Sequence, residues 1–189
     1  MESKEQYMMS YFTAPITNKV PLKNVNVYEV YQMIRSDQFE PQTMALRNLE
    51  GKDERRAYKG SHFDYVSPSG VFSYCNDASL VKHSGVLCVD LDDLGDGVDE
   101  MKGRLLSDPN FDTLLMFRSP GGEGLKWFTD IDLNRCDHRT WFSAVRNYLM
   151  ITYGLTEKQV DKSCSNPSKA CFLCYDPDVY IKTELIEYF

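Results

Sequence analysis

Ser84-Gly-Val-Leu-Cys-Val-Asp-Leu-Asp-Asp-Leu-Gly-Asp-Gly97 is the stretch on which the reading of this chain turns. Val86 to Val89 is an unbroken apolar run, the pattern of a strand buried on both faces. Asp90 and Asp92 lie at its C-terminal end. Side chains alternate along a strand, so the two carboxylates share one face, about 7 Å apart along the chain. Left alone they repel each other and resist desolvation. A divalent cation removes both costs, and hard Mg²⁺ or Mn²⁺ suits such an oxygen site. The competing reading is a strand that runs out into a solvated acidic turn. That reading is assigned to Asp93, Asp96 and Asp99, which fall beyond the strand pattern. An EF-hand loop counted from Asp90 would need an oxygen ligand at Leu94 and a glutamate at Met101, so the spacing excludes it.

Working outward, the 189 residues suit one generous domain, or one domain made of two packed halves, about 11–80 and about 81–189. With 42% hydrophobic and 13% aromatic residues the chain can fill a core, which excludes global disorder. A formal net charge of -7 argues against a broad, sequence-independent grip on nucleic acid but is compatible with a local basic groove. No apolar run has membrane-spanning length and no signal-peptide pattern opens the chain. Six irregularly spaced cysteines point to reduced thiols and a cytoplasmic location.

Before the central stretch, residues up to about Tyr11 read as a polar lead-in, and Tyr11 to Val20, interrupted by Pro15, as an edge strand. Asn24 or Asn26 caps a helix with Val27, Val30, Tyr31 and Ile34 on one face, and Pro41 to Leu49 forms a second helix. Lys52 to Gly60 reads as a charged loop, with Arg55 and Arg56 assigned to solvent. His62 to Tyr74 has strand character, broken at Ser67-Pro68-Ser69-Gly70 by what reads as the turn of a hairpin. His62 and His83 read as ordinary histidines and not as ligands.

After it, Val98 to Leu106 reads as an amphipathic helix and Asp112 to Phe117 as a second apolar strand. That strand runs into Arg118-Ser119-Pro120-Gly121-Gly122-Glu123-Gly124-Leu125-Lys126-Trp127-Phe128, a strand, glycine turn and strand in which backbone N–H groups can approach a phosphate. The GxxxxGK[ST] spacing of a Walker loop is absent, and Arg118 and Lys126 flank the turn. Asp137 to Tyr153 reads as a core helix carrying Trp141, Val145, Tyr148 and Leu149, with His138 exposed near its start. Asp161 follows an apolar residue, as Asp90 does. It reads equally as a third carboxylate or as a cap. Cys171 and Cys174 form a CxxC with no second pair, inside a strand-like run, so buried thiols fit better than zinc.

Taken together, Ser-Gly-Val-Leu-Cys-Val-Asp-Leu-Asp, Arg-Ser-Pro-Gly-Gly-Glu-Gly-Leu-Lys and Lys-Ala-Cys-Phe-Leu-Cys-Tyr-Asp-Pro-Asp resemble the archaeo-eukaryotic primase (primase–polymerase) superfamily. Within it the chain is similar to the VirE N-terminal-like domain of bacterial mobile elements and phages. The resemblance implies an α+β fold in two parts, with an RRM-like sheet bearing the carboxylates. It implies metal-dependent nucleotidyl transfer in replication, with Asp90, Asp92 and Asp161 holding Mg²⁺ or Mn²⁺. Arg118, Ser119, Gly121, Gly122, Gly124, Lys126 and Lys169 would face a nucleoside triphosphate. Single-stranded or primed nucleic acid would be the other substrate, and a helicase a partner. Lys126 stands where relatives carry a histidine and Lys169 where they tend to carry arginine. The alternatives are a degenerate module that binds nucleic acid or a partner without catalysis, and a metal-dependent phosphohydrolase or nuclease.

Overall fold

A computed structural model describes residues 6–188. In chain order the strands are β1 (Met9–Phe12), β2 (Lys23–Val25), β3 (Tyr65–Ser67), β4 (Gly70–Phe72), β5 (Leu80–His83), β6 (Val86–Leu91), β7 (Thr113–Arg118), β8 (Leu125–Asp130), β9 (Cys171–Phe172) and β10 (Tyr180–Ile181). The helices are α1 (Val27–Arg35), α2 (Glu40–Arg47), α3 (Lys52–His62), α4 (Val98–Leu106), α5 (His138–Tyr153) and α6 (Thr183–Tyr188). The strands form three antiparallel sheets, ordered β2-β1-β3-β9, β10-β7-β8-β6 and β4-β5, so the α+β class holds.

β6 is buried at all six positions. Its side chains divide by parity between two cores. Val86 and Cys88 join Phe117 and Phe128 against α1 and the first sheet, while Leu87, Val89 and Leu91 join Trp127 against α4 and α5. A sheet covered on both faces needs a continuous apolar strand, which is why the alternation expected of a half-exposed strand is missing. Beyond β6 lies an antiparallel bridge, Leu91 to Val160, so β6-α4-β7-β8-α5 and this last bridge follow a βαββαβ order.

Three N-terminal expectations are corrected. The lead-in is not polar throughout, because Met9 and Ser10 are buried in β1; residues 1–5 lie outside the described residues. β1 is not an edge strand: it sits between β2 and β3 and ends before Pro15, whose missing N–H therefore costs no ladder bond. β3 and β4 are not partners in a hairpin, since β3 pairs with β1 and β9 and β4 pairs with β5. The α1 cap is Asn26, which forms a capping box with Glu29, and Val27, Val30 and Ile34 are buried as their spacing requires. β9, late in the chain, completes the first sheet, so the two halves share strands as well as a core.

The loop expected at Lys52 to Gly60 is helix α3, which buries no residue fully. An apolar stripe could not announce it because it has none. His138 is buried, not exposed. It accepts at Nδ1 from His83 Nε2 at 3.1 Å, and its Nε2 faces the Cys164 carbonyl at 3.0 Å. A carbonyl can only accept, so the His138 proton sits on Nε2 and the His83 proton on its own Nε2. Among the described residues no helix is long and apolar enough to cross a membrane.

Candidate metal centre and phosphate pocket

Asp90, Asp92 and Asp161 each offer a carboxylate oxygen, and these oxygens lie within 4.8 Å of one another. Asp90 is the fifth residue of β6, with the parity of Val86 and Cys88, so it replaces an apolar side chain on the face toward the N-terminal half. Asp92 follows the strand and is fixed by its N–H to the Gln159 carbonyl at 2.9 Å. Asp161 is tied to the same strand by its N–H to the Asp90 carbonyl at 3.1 Å. It both caps and contributes: Oδ1 accepts from Ser163 N at 2.9 Å and Oδ2 from Lys169 Nζ, while a carboxylate oxygen of the same residue belongs to the cluster.

The register opposes Asp90 to Lys126 on β8, and the Lys126 ammonium donates to Asp90 Oδ2. Both residues are buried. Burial works against the Lys126 charge, but the Asp90 carboxylate outweighs it and holds this lysine protonated, above its ordinary value. Among the described residues Asp90 Oδ1 has no hydrogen-bond partner. Lys169 donates to Asp161 Oδ2 at 2.6 Å. Burial raises the Asp161 pKa, yet the hydrogen bonds from Lys169 and Ser163 prevail and hold it at about 2. Asp92 shifts the other way, upward, through burial and then the Asp90 charge. Burial pushes the neighbouring Cys164 thiol up to about 12, so this thiol is neutral and the ionised donors are all carboxylate oxygens.

The cluster opens into a cavity of about 340 Å³. One wall is the β7–β8 turn. The expected glycine turn is present, and Gly124 fits only as glycine, because a Cβ there would meet the Leu91 carbonyl at 2.2 Å. Gly122 has φ +88, in the left-handed region. Three guanidinium groups occupy three successive carbonyls of the turn. Arg47 Nε donates to Pro120 O at 3.2 Å, Arg55 Nη2 to Gly121 O at 2.7 Å, and Arg118 Nη1 to Gly122 O at 2.9 Å. The N–H groups of Gly121, Glu123 and Gly124 donate to no protein group among the described residues. Carbonyls neutralised by arginine and amides left as donors make the turn electropositive, a setting for an anion.

Of the residues read from sequence, Ser119, Gly121, Gly124, Lys126 and Lys169 line this cavity together with the three aspartates. Arg118 and Gly122 do not line it. Arg118 is drawn off by the Asp99 carboxylate on α4 and by the Gly122 carbonyl, and Gly122 sits at the turn's tip over Arg47. The sequence reading missed Arg47 and Arg55, whose partners lie 73 and 66 residues away. It placed Arg55 and Arg56 in solvent; Arg56 is exposed and Arg55 is half-buried, and both line the cavity from α3 with Lys52 and Lys59. In all, six lysines or arginines and five aspartates or glutamates face this space.

Residues 58–181, about two thirds of the chain, match the family model described as BT4734-like, N-terminal domain. No curated protein and no solved structure matches. The family match corrects the resemblance drawn from the motifs: no primase–polymerase or VirE model matches the chain. The physical reason is that a strand ending in DxD, a glycine turn and a hydrophobic-Asp step are what any strand-borne carboxylate cluster facing a phosphate turn requires. Such short motifs report a site, not a lineage.

Proposed function

The chain belongs to the BT4734-like, N-terminal domain family, and we propose that it is a metal-dependent nucleotidyltransferase acting on a nucleoside triphosphate. The observation that carries this reading is the buried, unpartnered Asp90 Oδ1 inside a cluster of three carboxylates that faces an electropositive glycine turn. An orphaned buried carboxylate oxygen is costly unless a cation completes it. The donor set is all oxygen, which fits Mg²⁺ or Mn²⁺ and not a soft metal. Asp90, Asp92 and Asp161 would hold the ion, whose chemistry when bound is Lewis-acid polarisation of phosphate oxygens and activation of an attacking hydroxyl.

The protein's own groups then have distinct tasks. The Gly121, Glu123 and Gly124 amides accept the phosphate chain as donors whose position is set before binding. Lys126 and Lys169, each already beside a cluster carboxylate, neutralise charge that develops on the transferred phosphoryl group. Arg47 and Arg55 hold the turn in place and leave its amides unoccupied.

A second reading, binding of a nucleotide without chemistry, is favoured by one observation: Lys126 and Lys169 already neutralise Asp90 and Asp161 without any ion. Incorporation of labelled nucleotide on a primed single-stranded template in Mn²⁺ separates the two. Incorporation that disappears in Asp90→Ala/Asp92→Ala supports transfer. Triphosphate binding with no incorporation leaves the second reading, and loss of both removes the pocket from consideration.

A further inference from the structure

From the spacing and placement of the basic residues of α3 we infer that this helix is a docking track for the phosphate backbone of single-stranded nucleic acid, leading into the carboxylate centre. Lys52, Arg55, Arg56 and Lys59 recur at i, i+3, i+4 and i+7. At about 100° per residue they fall within an arc of about 100° on one side of the helix. Asp53 and Glu54 fall outside that arc. All four cations line the cavity. The helix buries no residue fully, so the stripe is not there to fill a core.

The stripe also has a direction. Lys59 is the inner end, half-buried in the cavity wall that it shares with Asp90 and Asp92. Arg55 is next, held on the Gly121 carbonyl. Lys52 and Arg56 are exposed at the rim. Seven residues at about 1.5 Å each carry the stripe about 10 Å, from the carboxylates to open solvent. A nucleotide held on the glycine turn would use the inner end alone. A track that continues to the rim matches a ligand whose phosphates repeat. Phe172, half-buried in the same cavity wall, offers a ring on which a base can stack. In a chain of net charge -7 this stripe is a local reversal of sign, which directs a polyanion to one place.

This inference rests on the proposed pocket for its direction but is tested without catalysis. Binding of a fluorescent oligo(dT) is followed by anisotropy against NaCl, with no metal and no nucleotide, for the wild type and for Lys52→Ala/Arg56→Ala. The two exposed positions are chosen so that folding, checked by melting, is retained. Each phosphate neutralised on a single strand contributes about -0.7 to the slope of log K against log salt. Four contacts give a slope of about -2.8, or a loss of about 50-fold between 50 and 200 mM salt. Two contacts give about -1.4 and a loss of about 7-fold. A weaker variant with the slope halved supports the track. No binding by the wild type, or a variant with unchanged affinity and slope, overturns it and leaves the stripe to an acidic protein partner. Stripe-dependent binding without nucleotide incorporation overturns the transfer reaction and not the track. Incorporation with no dependence on the stripe does the reverse.

Discussion

Replacing Lys126 by methionine keeps most of the side chain's volume and removes its charge. The ammonium is the hydrogen-bond donor to Asp90 Oδ2, and Oδ1 of the same carboxylate already has none. Asp90 is 5% exposed and Lys126 8%, so water cannot replace the lost donor without opening the β6–β8 pair. Breaking a buried pair from one side costs about 3–5 kcal/mol, because the remaining charge is left unpaired. For a chain of this size that lowers the melting temperature by about 6–20 °C. Removing both charges, in Asp90→Asn/Lys126→Met, eliminates the unpaired ion and recovers most of the loss. Urea unfolding followed by circular dichroism measures all three proteins, with m expected to be unchanged. Added Mn²⁺ raises the melting temperature of Lys126→Met more than that of the wild type, since a cation then takes the place of the ammonium. A single variant within about 0.5 kcal/mol of the wild type, or a double variant as unstable as the single one, would refute the reasoning.

Two further outcomes follow from other parts of the structure. Gly124→Ala places a methyl 2.2 Å from the Leu91 carbonyl and forces the turn away from β6, so triphosphate binding falls at least tenfold (about 1.4 kcal/mol) while fluorescence titration of Gly103→Ala, at a helical position with open space around it, shows a smaller change. The second concerns pH. Burial, then the His138 charge, lowers the His83 pKa to about 4, and burial lowers that of His138, which also has Asp77, Asp137 and Arg139 around it. Between about 6.5, the unfolded value, and about 4 the unfolded chain binds protons that the folded chain does not. Stability is therefore full above pH 6.5 and is lost as pH falls toward 4, by about 1–2 kcal/mol for His83 after allowing for solvent at this partly exposed ring. His83→Gln flattens that part of the profile in urea titrations, and an unchanged profile would show that this ring does not titrate as described.

What could be read from the sequence depended on which physical signal each segment carries. α4 and α5 were legible because their buried residues recur at the helical period, and β6 because a strand covered on both faces must be apolar throughout. Asp90 stood out as a charge inside that pattern. α3 was missed because its periodic residues are cationic, and a search for apolar stripes passes over them. β1 was misplaced because its four residues are shorter than the polar and proline-bearing segments around it. The position of Arg118 beside the turn marks it as a phosphate ligand, and nothing local shows that Asp99, 19 residues earlier, competes for it. The opposition of Asp90 and Lys126 follows from strand register, which becomes defined only when β6 and β8 pair. Arg47 and Arg55 reach the turn by tertiary packing alone.

Uptake of Mn²⁺, followed by the loss of the free ion's electron paramagnetic resonance signal in the wild type, Asp92→Asn and Asp161→Asn, tests the carboxylate cluster most directly. The three oxygens within 4.8 Å of one another predict uptake by the wild type, weakened at least about tenfold in each variant, with folding retained. No uptake by the wild type, or equal uptake by all three proteins, would contradict the assignment of a cation to Asp90, Asp92 and Asp161.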